Sequence, residues 1–313
     1  MKVSEAEHPP LSANLAELLA AISARNPLHK PYLDRSIAFL IADELARFES
    51  VLGYLLGLGL DLAYVADSYL TVVEDTTAEQ MHFFRHGEYR NKSYEDVASS
   101  VYNDRFYMDR YMYGLVLTAF LWPNHVRIAR FFEEVLPLGR TGRYLEVGPG
   151  HGYFMATCAS RSSFDELLGI DISKASIAQT RSLIAHFAPQ SATRCELRLA
   201  DFLASENLAP ESFDAAVMGE VLEHVEDPAA FLRRLHGLVR EDAFVYITTC
   251  VNAPAIDHIY LWSSTDSLEA MIVDCGFGIL KALRLPYEGR TLEQARKQGL
   301  PINVAYVLKK IIE

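Results

Sequence analysis

The sequence predicts an α/β fold: a mostly parallel sheet over residues 141–313, preceded by an all-helical region over residues 1–140. Three observations carry this. Short apolar runs alternate with helical patterns through the second half, the rhythm of successive strand–helix crossovers. The first of those runs ends in three glycines at alternate positions, Gly148, Gly150 and Gly152. The first half has neither feature and reads as helix nearly throughout, with no repeat.

The helical half divides at about 11–24, 31–60, 62–74, 94–112 and 115–136. The first ten residues are polar, carry Pro9-Pro10, and are expected to be disordered. The longest apolar run, Val51 to Leu60, is about half a membrane span and reads as a buried helix. From Phe83 to Trp122 there are 11 aromatic residues in 40 positions, against 34 in the whole chain. Two readings stand: a cap over the ligand, where an apolar lid excludes water and aromatic faces attract a cation, or a helical core rich in Tyr and Phe. Such an extension also suits contact between two copies in a homodimer.

In the second half, strands are expected at 143–148, 166–170, 195–200, 213–218, 243–249, 277–285 and 302–310. Helices fall near 152–161, 174–187, 228–238 and 266–275. Asp227-Pro228 supplies a cap and a first-turn proline for the third of these. Gly276 stands where a helix-ending glycine belongs. Between the last two strands, Pro286 to Pro301 carries Tyr287, Arg290 and Lys297. It is either part of a substrate mouth or a surface helix at 292–298.

Composition narrows the function. Half of the 313 residues are hydrophobic, ample for a core in one large domain or two ordinary ones. The net charge of −12 argues against a nucleic-acid groove, and Arg140 with Arg143 reads as a solvated loop. The four cysteines, at 158, 195, 250 and 275, form no C-x-x-C pair. Without a signal peptide or membrane span they read as reduced thiols in a cytoplasmic protein.

Residues 144–152 read Tyr-Leu-Glu-Val-Gly-Pro-Gly-His-Gly. A dinucleotide G-x-G-x-x-G would need glycine at 153, where Tyr stands. An apolar strand then ends at Gly169-Ile170-Asp171-Ile172-Ser173, 19 residues past Gly152. A carboxylate there can accept both hydroxyls of a ribose. Leu199-Ala200-Asp201-Phe202 and the run from Phe213 to Val225 place two further acidic sets at strand ends. In this order the four stretches resemble class I S-adenosylmethionine (SAM) methyltransferases, over about residues 140–313. The resemblance implies a seven-stranded Rossmann-like methyltransferase sheet of order 3-2-1-4-5-7-6, with the seventh strand antiparallel. It further implies SAM binding by Glu146, Gly148, Gly150, Gly152, Asp171, Ile172, Asp201, Phe202 and Glu220. Asp201 would lie near the adenine amino group, with an apolar neighbour against the ring.

Glu220, Glu223 and His224 stand at i, i+3 and i+4, one face if the turn is helical. The loop after the fifth strand brings His258 to the same sheet edge. Two carboxylates and two imidazoles can hold a divalent metal with open positions for substrate. The pattern resembles the metal-binding set of small-RNA 2′-O-methyltransferases and of ubiquinone-pathway O-methyltransferases. That resemblance implies Glu220, Glu223, His224 and His258 as ligands, although the 34-residue step from His224 to His258 is short for the RNA enzymes. Two other readings stay open: His224 or His258 as a metal-free general base, or plain packing, since E-V-L-E-H-V is frequent in metal-free members. His125, after Asn124, is a further catalytic candidate on the helical side. Arg85, beside His82 and His86, is a weaker one for a substrate anion.

The resemblance implies SAM-dependent methyl transfer to a small-molecule acceptor in specialised metabolism, on oxygen or carbon, with neither nucleic acid nor membrane as partner. Two alternatives stand beside it. One is SAM consumption without methyl transfer, by cyclisation or aminocarboxypropyl transfer. The other is a non-catalytic SAM-binding protein.

Overall fold

The computed structural model describes residues 10–98, 101 and 104–312. The disorder expected over the first ten residues therefore falls, but for Pro10, outside them. The chain forms two compact units, Met1–Glu74 with Arg110–Arg127, and Asp75–Asp109 with Ile128–Glu313. They do not divide at residue 140: residues 75–109 go with the sheet.

The helices before the sheet are α1 (Ala13–Arg25), α2 (Lys30–Phe39), α3 (Ala42–Gly57), α4 (Leu62–His86), α5 (Tyr94–Val97), α6 (Arg105–Leu121) and α7 (Pro123–Val135). The single helix expected over 31–60 is two. The chain turns extended at Leu40 and Ile41, Leu40 is buried, and the Glu44 carboxylate accepts the Ile41 N–H at 2.9 Å. An acidic first turn and this cap restart the helix at lower cost than continuing it. Conversely α4 runs past residue 74, because nothing in Glu74-Asp75-Thr76-Thr77 breaks a helix. It ends where Gly87 takes φ +71 and donates its N–H to Phe83 O. In the first unit, Phe48 and Phe120 stack at 4.9 Å within a core of Leu15, Leu18, Ile22 and Leu55. Gly114 lets α6 touch α4 directly, since a β-carbon there would lie 2.2 Å from Ser68 O.

The second unit is built on β1 (Arg143–Val147), β2 (Glu166–Asp171), β3 (Cys195–Leu199), β4 (Phe213–Gly219), β5 (Val239–Val251), β6 (Phe277–Pro286) and β7 (Ile302–Lys310). They form one sheet of order β3-β2-β1-β4-β5-β7-β6, with β7 antiparallel to both neighbours. This is the expected order. The helices α8 (Tyr153–Arg161), α9 (Lys174–Phe187), α10 (Pro228–Leu238), α11 (Thr265–Asp274) and α12 (Leu292–Gln298) complete it. Central strands such as β4 are buried along nearly their whole length, as strands covered on both faces must be. β5 starts earlier than expected, at Val239, which pairs with Phe213 ahead of an irregularity in the ladder. Asp227 caps α10 by accepting the Ala230 N–H at 2.9 Å, and Gly276 follows α11 at φ +88. The segment 286–301 takes the surface-helix form: Thr291 caps α12 and Gly299 follows at φ +61. All four cysteines are free, three of them buried and Cys195 half-buried. Among the described residues no single helix is long and apolar enough to cross a membrane.

Candidate functional site at the carboxyl edge of the sheet

β1 delivers the chain into the glycine loop. Gly148, Gly150 and Gly152 all have positive φ, at +65, +57 and +85. Two of them are pressed by their own fold. A β-carbon on Gly148 would meet Val221 Cγ2 at 2.6 Å, and one on Gly152 would meet Thr180 Cα at 2.8 Å. Gly150 differs: nothing but Gly148 O, at 3.8 Å, lies within 4 Å of its β position. The loop thus opens a space above Gly150 alone. Thr180, on α9, donates its hydroxyl to Gly150 O at 3.0 Å. Sequence reasoning missed it, because nothing local links positions 30 apart.

Below the loop, Glu146 is sealed. It accepts the Tyr144 hydroxyl and the Met155 N–H, so it ties β1 to the first turn of α8. Burial pushes its carboxyl up to about 8, against those two hydrogen bonds. Asp171 ends β2. Its carboxylate accepts the Ser173 N–H at 2.8 Å and the Gly150 N–H at 3.2 Å. Burial raises it to about 6, and the bonds from Ser173 and Gly150 oppose the rise. His151, inside the loop, accepts the Tyr153 N–H on Nδ1 at 3.3 Å. Burial lowers it to about 4.

The third strand end is arranged differently from the second. Asp201 is exposed and accepts the Leu203 N–H at 2.8 Å. Phe202 is buried in the core, 5.5 Å from the Phe231 ring. Exposed apolar side chains at this edge include Ile172, after β2, and Leu199 and Leu203, around the end of β3.

After β4 the chain does not enter an α-helix, so Glu220, Glu223 and His224 do not share a helical face. Glu220 sits at φ +51, and only Leu222–His224 form a 3₁₀ turn. The tight turn follows from Glu220 N–H bonding back to Thr248 on β5. It nevertheless gathers the residues. Donor atoms of Glu223, His224 and His258 lie within 4.8 Å of one another, and so do those of Glu220, Glu223 and Cys250. Glu223 belongs to both sets. It accepts the Thr249 hydroxyl at 2.7 Å, and its backbone carbonyl accepts the N–H groups of Ile259 and Tyr260. Burial, and then the charge of Glu220, push the Glu223 carboxyl well above the usual carboxylate range. Glu220 Oε1 is enclosed and has no hydrogen-bond partner among the described residues.

The two imidazoles meet edge to face, with centroids 4.8 Å apart. His224 Nδ1 lies 3.0 Å from Asp257 O, and His258 Nδ1 lies 2.6 Å from Ala253 O. A carbonyl only accepts, so each Nδ1 carries a hydrogen, and a ring with no second proton keeps its lone pair on Nε2. This is how metal-binding histidines are usually fixed. The Glu223 carboxylate with the two imidazoles is a donor set that fits a divalent cation, and the unpaired Glu220 oxygen stands in the second set beside it. Burial lowers His258 to about 4.

The segment before the sheet contributes residues that sequence reasoning did not single out. Tyr89 accepts the Ala253 N–H at 3.1 Å, and its ring stands 5.9 Å from that of His258. Asn91 donates to Ile256 O at 2.7 Å. Tyr107 donates to Asp75 at 2.6 Å, and both feel the charge of Asp257. The aromatic-rich stretch from Phe83 therefore reaches this edge in part. Arg85 is exposed on the last turn of α4, beside the tilted rings of His82 and His86, whose centroids are 4.5 Å apart. His125 belongs to the other unit, where its Nδ1 lies 2.9 Å from Thr118 Oγ1 and its ring 4.9 Å from Trp122.

Residues 145–245 match the family described as "Methyltransferase domain". The ubiquinone biosynthesis O-methyltransferase of Neisseria meningitidis serogroup C is 33% identical over 118 residues, 37% of this chain and 47% of that protein. The Pseudomonas putida protein of the same name is 31% identical over 135 residues, 42% and 53% of the two chains. The chain spans about half the length of these curated relatives. Among solved structures, geranyl diphosphate C-methyltransferase from Streptomyces coelicolor A3(2) superposes with a TM-score of 0.51 at 12% identity, covering 72% of this chain and 92% of that one. The cyclase SpnF gives 0.50 at 16% identity, covering 61% and 83%. At such identities the likeness speaks for the fold.

Proposed function

We propose that this chain, which carries a class I SAM-dependent methyltransferase domain behind an N-terminal helical region, transfers the methyl group of SAM to a small molecule held against the Glu/His cluster. The observation that carries the proposal is the adjacency of cluster and loop. Val221, next to Glu220, packs directly on Gly148, and Asp171 at the end of β2 accepts the Gly150 N–H of the same loop. A donor seated over Gly150 would present its sulfonium beside Glu220, Glu223, His224 and His258.

In this reading the backbone at Gly148, Gly150 and Gly152 approaches the methionine part of SAM. Asp171 accepts from the ribose, Ile172 offers an apolar face to the adenine, and Asp201 faces the amino group. Glu146 and Phe202 hold this frame from beneath. Methyl transfer is an in-line displacement on an already activated sulfonium, so the protein's work is orientation and control of one proton. Glu220, Glu223, His224 and His258 would hold a divalent ion, which when bound acidifies an acceptor hydroxyl or enol. The chain's own part is to keep both Nε2 atoms free beside the Glu223 carboxylate, with Glu220 next to it, and to exclude water with Tyr89. Two acceptor classes suit such a site. The first is a vicinal diol or catechol, methylated on oxygen, in line with the relatives' names. The second is an enolisable keto acid, methylated on carbon. A setting in specialised metabolism and a homodimer through the helical region complete the proposal.

The test is turnover of SAM with panels of catechols and keto acids, with and without a divalent ion, read by mass spectrometry. S-adenosylhomocysteine together with a methylated acceptor is expected. Methylthioadenosine instead would identify SAM cleavage without methyl transfer. Binding without turnover of any acceptor would identify a non-catalytic SAM-binding protein.

A further inference from the structure

The stretch from Ala253 to His258 is an irregular loop, yet it sets the state of both histidines. Ala253 O holds His258 Nδ1, and Asp257 O holds His224 Nδ1. Its two ends are pinned by the sheet unit itself. Asn252 donates its N–H to Trp262 O, and Ile259 and Tyr260 donate theirs to Glu223 O. Two further contacts come from the segment that follows α4. The Tyr89 hydroxyl accepts the Ala253 N–H, and Asn91 Nδ2 donates to Ile256 O. Each of these contacts falls on, or one residue from, a carbonyl that fixes an imidazole.

We infer that Tyr89 and Asn91 are positioning residues of the candidate site: they clamp the 253–257 loop so that its carbonyls hold His258 and His224 in the Nδ1–H tautomer with both Nε2 atoms aimed into the cluster. The inference rests on the reading of that cluster as the reacting site. Tyr89 is suited to the task. It is 3% accessible, it packs on Phe83 at 5.7 Å, and its ring edge backs His258 itself. The same segment is tied down one turn later, where the Tyr94 N–H is accepted by Glu226, just past the Glu/His turn. Loop drift of about 1 Å is enough to cost about 100-fold in rate when a reacting group depends on it. Loss of a hydrogen bond behind a metal-binding histidine costs about 10- to 100-fold in metal affinity or activity.

Tyr89→Phe removes one hydroxyl and keeps the ring, and Asn91→Ala acts on the same loop from the half-exposed side. Both are made in the full chain, with thermal melting as the control for folding. Ring-nitrogen chemical shifts of histidine-labelled, metal-free protein report the tautomers, assigned with His224→Gln and His258→Gln. The wild type should show one Nδ1–H form at each site. Tyr89→Phe should turn His258 into a tautomer mixture, and Asn91→Ala should do so for His224. Manganese affinity, measured with the ion alone, and kcat should fall by about 10-fold or more, with KM for SAM unchanged. Unchanged tautomers in both folded variants overturn the inference, whatever happens to the rate. If the wild type shows no methyl transfer, the functional reading fails, while the shifts still decide the clamp.

Discussion

Tyr144 and Glu146 face the same side of β1, and the tyrosine hydroxyl donates to the glutamate carboxyl with both side chains sealed from water. Burial pushes that carboxyl from 4.5 to about 8. Between those values the folded chain keeps a proton that the unfolded chain has lost. Stability should therefore fall as pH rises through the window, by up to about 1.4 kcal/mol per pH unit from this group. Glu146→Gln, which stays neutral and keeps an acceptor oxygen, should flatten the slope. Urea midpoints taken from about pH 5 to pH 8 compare the two proteins. Parallel curves would show that Glu146 is already ionised in the folded chain.

The three loop glycines should separate by variant. Gly148→Ala and Gly152→Ala must force Val221 and the Thr180 backbone aside at positive φ, and both should lower the melting temperature. Gly150→Val meets no chain atom closer than 3.8 Å at its β position. It should lose S-adenosylhomocysteine binding in calorimetry with a smaller loss of stability than Gly152→Ala. Full affinity in Gly150→Val would remove the donor from this loop.

Asp171→Ala should weaken S-adenosylhomocysteine binding by about 1–3 kcal/mol, the scale of hydrogen bonds to a charged group. It also frees the Gly150 and Ser173 N–H groups. Asp171→Asn, which can still accept one of them, should recover part of the loss. Equal losses in the two variants would assign the effect to the carboxylate charge.

The Glu/His cluster should answer to metal. A chelator should abolish activity, and a divalent ion should restore it. Mixed oxygen and nitrogen donors leave magnesium, manganese, iron, cobalt and zinc all eligible. His224→Ala and His258→Ala should each lower metal affinity as well as rate. Chelator-resistant activity lost in one histidine variant alone would assign a general base. Chelator-resistant activity kept in both would leave orientation as the whole mechanism.

The middle of the sheet was legible because β1, β2 and β4 are buried along nearly their whole length and stand out as apolar runs, each closed by a polar or glycine signal. The ends of β1, β2 and β4 were legible for the same reason. The helical half was harder. Leu40 and Ile41 break a helix with no Gly or Pro to announce it, and a polar stretch at 74–77 looks like an end although α4 runs through it. The Glu/His turn was found, but its shape was not. Periodicity assumes an α-helix, whereas the bond from Glu220 N to Thr248 imposes a tighter path. Tyr89 and Asn91 were out of reach, because their partners lie 164 and 165 residues away.

The position of β7 bears on how the domain is made. It is last in chain order yet lies between β5 and β6, pairing antiparallel with both. Until residues 302–310 have left the ribosome, β6 has no strand beside it and β5 presents a row of unpaired backbone N–H and C=O groups. The nascent domain must therefore wait as a five-strand sheet with its sticky border uncovered, the condition that recruits chaperones and risks misassembly. Insertion of β7 closes that border, and slowed translation just before β7 should lengthen the wait.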